Sequence, residues 1–151
     1  MNTHDPMLKG LAPFLTVLLL LAACSPGGAA AETIAYNLGE TTILQDHFAE
    51  DSRFRQMPVR LEGVIGVPGE KGPRPVVLIL HGSHEICPSE DVWPCPPEEE
   101  QPNYTGFAYL VEALADAGYI ALAINVNAEH TFAYGESPPT VRTIQLIDAH
   151  L

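Results

Sequence analysis

Between residues 81 and 95 the chain concentrates side chains that bind metals, carry protons or form covalent bonds: His81, Ser83, His84, Glu85, Cys87 and Cys95. His81 closes the run Pro75-Val76-Val77-Leu78-Ile79-Leu80-His81-Gly82-Ser83, and Gly82 lets a backbone approach a substrate closely. Residues 81–84 are therefore the best candidate for part of a site. His81, His84, Cys87 and Cys95 have the ligand types of a zinc centre, yet the two thiols lack the short C-x₂₋₄-C clip. The order His81-Gly-Ser-His84-Glu85 is neither H-E-x-x-H nor H-x-x-E-H, and it falls at a strand end rather than on a helix face.

The elements that must position these residues are legible on either side. Val76 to Leu80 are apolar and bounded by Pro73, Pro75 and Gly82, which predicts a strand buried on both faces. Such a strand delivers its C-terminal loop to the edge where open α/β sheets bind ligands. Upstream, Ile34–Leu38 reads as a short first strand. Val59, Leu61, Ile65 and Val67 share one parity, with Arg60 and Glu62 on the other, the alternation of a half-buried strand. The segment between them, Gln45–Gln56, mixes charges, and His47 in it reads as a surface histidine. Residues 82–103 form a long acidic, proline-rich loop. Its Glu85, Glu90, Asp91, Glu98, Glu99 and Glu100 have no basic neighbours and match no calcium-loop spacing, so they read as a solvated face. Phe107, Leu110, Val111, Leu114 and Ala117 predict an amphipathic helix over 105–117, with Gly118 as its C-terminal cap. Tyr119–Ile124 then completes a strand–helix–strand unit whose two strands are parallel. A last helix begins near Thr140, its faces marked by Val141, Ile144, Ile147 or Asp148, and Leu151.

The first part of the chain is an export signal in composition. Leu11–Ala23 is apolar and uncharged, too short for a good membrane span, and Lys9 precedes it. Leu21-Ala22-Ala23-Cys24 resembles the bacterial lipobox, which makes Cys24 the acylated residue of a membrane-anchored lipoprotein. Cleavage after Ala31, giving a freely secreted chain, also satisfies the small-residue rule. The organisation is then a signal peptide over 1–23, a flexible tether over 24–33 and one domain over 34–151. With Cys24 lipidated, Cys87 and Cys95 remain as a pair in an exported chain, where disulfides persist. The formal charge of −12 stays with the mature part, because Asp5 and Lys9 cancel. Without a basic cluster the chain has no footprint for nucleic acid.

Met57–Pro68, Pro75–Gly82, the Trp93-Pro-Cys95 loop, Asn103-Tyr-Thr-Gly-Phe107 and Gln145–Leu151, taken in order, resemble the N-terminal half of an exported bacterial α/β-hydrolase. That superfamily includes serine esterases, polyester hydrolases and dienelactone hydrolases. The resemblance implies an α/β domain with an incomplete, mostly parallel sheet and flanking helices, no cofactor, and an ester-type small-molecule or polymer substrate for the full-length form. It also implies that Ser83, with His84 beside it, donates a backbone N–H to an oxyanion hole, which requires a donor about 3 Å from the developing charge. The strand carrying the nucleophile lies beside the third strand in that superfamily, so Val76–Leu80 is expected to form an open apolar edge.

The departure from the family concerns the nucleophile. Its elbow is G-x-S-x-G, and none of Ser25, Ser52, Ser83, Ser89 or Ser137 stands in that pattern. The expectation is a fragment without a catalytic triad, inactive alone. A non-catalytic lipoprotein that binds or interacts through the same scaffold is the alternative.

Overall fold

The structure is a computed structural model that describes residues 29–89, 92–131 and 139–151. Four strands, β1 (Glu32–Leu44), β2 (Gln56–Val67), β3 (Val76–Leu80) and β4 (Ile120–Ile124), form one sheet in the order β1-β2-β4-β3. Two helices, α1 (Ala108–Asp116) and α2 (Pro139–His150), accompany it, with 3₁₀ turns at Asn103–Phe107 and Asn127–His130. The expected signal peptide over 1–23 and the expected lipidation site Cys24 lie outside the described residues.

The expected mostly parallel sheet of an incomplete α/β-hydrolase domain is not what forms. β1 pairs antiparallel with β2, β2 pairs antiparallel with β4, and only β3 and β4 are parallel. The reason lies in the connections. Residues 45–55 turn the chain straight back, with the Gln45 N–H donating to the Arg55 carbonyl at 2.7 Å, and a direct return gives an antiparallel pair. A parallel pair needs a crossover, which only α1 supplies. β4 inserts between β2 and β3, so it meets one neighbour in each sense.

The expected strand–helix–strand unit is present, with Val76 opposite Ile120 and Leu80 opposite Ile124. Its helix is shorter than the pattern suggests, because 103–107 is a 3₁₀ turn. Gly118 caps it at φ 93°, its N–H bonding the Ala115 carbonyl while the Tyr119 N–H bonds that of Leu114, a Schellman closure that an L side chain would strain.

Both sheet faces are covered, by different means. On one, α1 lies close because the sheet residues beneath it are small: Val64, Ala121 and Ala123 pack with Val111. A Cβ on Gly66 would meet the Val111 carbonyl oxygen at 2.8 Å. On the other, Met57, Val59, Leu61, Leu122 and Ile124 pack against Ile86, Trp93 and the two cysteines of the long loop, and against Leu146 of α2. This explains why Val64 is buried against the parity read from the sequence, whereas Val67, at the strand's end, is exposed.

Three further readings change. β1 runs for 13 residues rather than five. β3, at the edge as expected, is half-exposed along its length rather than buried on both faces, since α1 lies mainly over β1, β2 and β4 and α2 over β2. On α2, Arg142, Leu146 and His150 face inward while Val141, Ile144 and Leu151 are exposed, the reverse of the apolar periodicity.

Candidate functional site

β3 and β4 end side by side, and the turn after each contributes to one surface cavity of about 290 Å³. Ser83, His84, Glu85 and Cys87 line it from the loop after β3, and His130 from the 3₁₀ turn after β4. Parallel strands bring their C-terminal ends to the same edge, which is why two segments about 45 residues apart meet here.

His81 holds the two turns together. Its ring is buried, with 4 % exposure. Nε2 accepts the Val126 backbone N–H at 3.1 Å, so the proton sits on Nδ1, which donates to the Gly82 carbonyl at 2.9 Å. Burial pushes the imidazole below its ordinary value of 6.5, opposed by the Gly82 hydrogen bond and reinforced by His130 and His84. The rings of His130 and His84 stand 5.7 and 6.4 Å from it, centre to centre.

Ser83 and His84 are exposed at the cavity mouth. Among the described residues neither backbone N–H donates to any protein acceptor. Gly82 has an ordinary backbone conformation and nothing near the position of a Cβ, so the turn does not depend on glycine; what Gly82 provides is open space. His130 adds an Nε2 that is buried without a partner. The arrangement offers two consecutive backbone donors and two imidazoles to an oxygen-rich group.

Cys87 and Cys95 form a disulfide, with their Cα atoms 5.9 Å apart. With both thiols oxidised and both His81 nitrogens hydrogen-bonded, the zinc set of His81, His84, Cys87 and Cys95 is not assembled. His47 stacks against Phe48, with ring centres 4.2 Å apart, away from the cavity.

The loop carrying Ser83 and His84 is anchored by a buried polar network that the sequence reading missed. Glu100, expected to be solvated, is almost wholly inside and pairs with Arg60. Its Oε1 accepts from the side-chain amides of Asn125 at 2.9 Å and Asn127 at 2.8 Å. Asn103 donates to Asn127 Oδ1 and to the Glu85 carbonyl, both at 3.0 Å, and so ties the network to the cavity wall. Arg60 also reaches Glu40 at 2.9 Å and the Cys95 carbonyl at 2.7 Å. These two carboxylates raise the guanidinium above its usual value although burial acts to lower it. The one available signal was Asn125-Val-Asn127, two amides directly after an apolar strand.

A second histidine is placed for pH sensitivity. His150 at the end of α2 is buried, its Nδ1 2.9 Å from the hydroxyl of Tyr36, and burial pushes its pKa down. Burial, with Tyr104 nearby, pushes Tyr36 up to about 12, so its hydroxyl keeps its proton. Burial disfavours the charged form of both His81 and His150 in the fold. On acidification below 6.5 the unfolded chain takes up protons that the folded chain resists, so stability is full above that value and falls beneath it. Melting temperature is expected to drop on acidification through about pH 6, and the drop to shrink in His81→Gln, which keeps an acceptor but cannot titrate. Equal pH profiles for the two proteins would contradict the assignment to His81.

Compared with family models, characterised proteins and solved structures, the chain matches none.

Proposed function

We propose that the chain carries the oxyanion-binding side of a carboxylester-type hydrolase site, taking a carbonyl or carboxylate oxygen of an ester-type small molecule or polymer at Ser83 and His84. The observation that carries the reading is the pair of adjacent backbone N–H groups, unused by any described protein acceptor, at the mouth of a cavity. Donors of this kind serve a developing negative charge because they are held in place beforehand, and the His81 bridge does the holding here. The Cys87–Cys95 disulfide supports the exported setting, with Cys24 as the lipid-bearing membrane anchor. Among the described residues no helix is long and apolar enough to cross a membrane.

No serine of the sequence stands in a G-x-S-x-G elbow, so the proposal is for binding without acyl transfer by this polypeptide. Short p-nitrophenyl esters are expected to show no hydrolysis above background. In an amide-resolved NMR titration, a short-chain carboxylate such as butyrate is expected to move the Ser83 and His84 amides most. Turnover that survives removal of contaminating esterase, or shifts confined to other amides, would overturn the reading.

A further inference from the structure

The two edges of the sheet are built differently. β1 is a guarded edge: it carries Glu32 and Glu40, and its pairing slips at a bulge between Asn37 and Glu40 where Gly39 adopts φ 92°. Charges and bulges are how sheet edges avoid pairing with other chains. β3 has no such guard. All five of its residues are apolar, with no charge, proline or bulge among them. Val76 is 58 % exposed and Leu80 37 %.

The hydrogen-bonding directions of β3 follow from one contact. The Ile120 N–H donates to the Pro75 carbonyl at 3.0 Å, so residue 75 points its polar groups at β4. By alternation Val77 and Ile79 do the same, and Val76, Leu78 and Leu80 direct their N–H and C=O groups outward. These three residues are symmetric about Leu78. Two copies of β3 can therefore pair antiparallel around a two-fold axis at Leu78, with Val76 opposite Leu80 of the second copy and Leu78 opposite its own equivalent. Each outward residue exchanges both of its bonds in that register.

Charge agrees with the same register. Among the described residues Lys71 is the sole lysine, and it stands with Arg74 just before β3, while Glu85 follows it. Antiparallel pairing brings Lys71 of one copy toward Glu85 of the other, while Arg74 stays paired with Glu70 of its own copy at 2.8 Å.

We infer that the open edge of β3 is a self-association surface, and that the chain forms a two-fold dimer by antiparallel β3–β3 pairing centred on Leu78. The inference does not rest on the proposed hydrolase site. It is tested by a single-cysteine scan of 76–80 in the full chain, cross-linked with a short thiol-reactive bifunctional reagent and compared with the unsubstituted chain. Leu78→Cys is expected to give a band of doubled mass. Val76→Cys and Leu80→Cys are expected to cross-link poorly alone and well when combined in one chain. Val76→Pro removes an outward N–H and leaves the bonds to β4 intact, so combined with Leu78→Cys it is expected to abolish the doubled band while the circular dichroism spectrum is unchanged. Uniform cross-linking at all five positions, a doubled band that survives Val76→Pro, or a Leu78→Cys adduct with a different protein or with another strand of the same polypeptide would each overturn the inference.

Discussion

Replacing Glu100 with alanine is expected to destabilise the fold by about 3–5 kcal/mol, the usual result of removing one partner from a buried ion pair. The carboxylate accepts from Arg60, Asn125 and Asn127, so its loss removes an acceptor from three donors at once in a part-buried site. Arg60 keeps Glu40 and the Cys95 carbonyl, which places the effect toward the lower end of that range. Domains are stable by about 5–15 kcal/mol in total, so the variant stands close to unfolding. Urea denaturation followed by fluorescence is the suitable measurement, because Trp93 is the only tryptophan and lies in the anchored loop. Glu100→Gln keeps an acceptor for the two asparagines and is expected to lose less. A loss under about 1 kcal/mol, the size of an exposed ion pair, would show that Glu100 is solvated as its sequence context suggested.

Opening the Cys87–Cys95 disulfide is expected to cost about 2–3 kcal/mol from chain entropy alone, given the short loop it closes. The consequence reaches further than that loop. Both cysteines are buried among Trp93, Ile86 and Met57, and Trp93 donates its indole N–H to the Pro58 carbonyl at 2.8 Å. Cys87 also walls the cavity at Ser83 and His84. Reduction should therefore lower the melting temperature and weaken butyrate binding together, and the paired Cys87→Ser and Cys95→Ser variant should behave as the reduced protein does. Thermal unfolding that is insensitive to reductant would mean that the hydrophobic contacts hold the loop unaided.

The two expectations act on the same structural problem. A loop of some twenty residues between a strand and a helix needs internal order to place a site, since long segments without structure rarely stay put. Here Glu100 fastens it at its far end, the disulfide closes its middle, and His81 fixes its origin to the turn after β4. The donors of Ser83 and His84 sit between the His81 bridge and the disulfide.

Much of this was legible in local pattern. The apolar run 76–80, the periodicity of 107–117, the glycine at 118 and the alternation over 59–61 each describe how a segment meets its nearest neighbours, and the structure contains the strand, the helix, its cap and the buried residues accordingly. The pairing of Cys87 with Cys95 was also foreseen, since few alternatives were left for two thiols. Pattern of this kind records which side of an element is apolar, and says little about which element lies opposite.

What only the tertiary structure decided concerns partners distant along the chain. Sheet order depends on β4 entering between β2 and β3, an event that no residue of β2 or β3 encodes locally, and it made the sheet mostly antiparallel. Glu100 looked solvated because its cation is 40 residues away, and His130 gained a place in the cavity because two parallel strands end together. Residues 81–84 were singled out by their place at the end of an apolar strand; the histidine bridge behind them exists because β3 and β4 are neighbours in space.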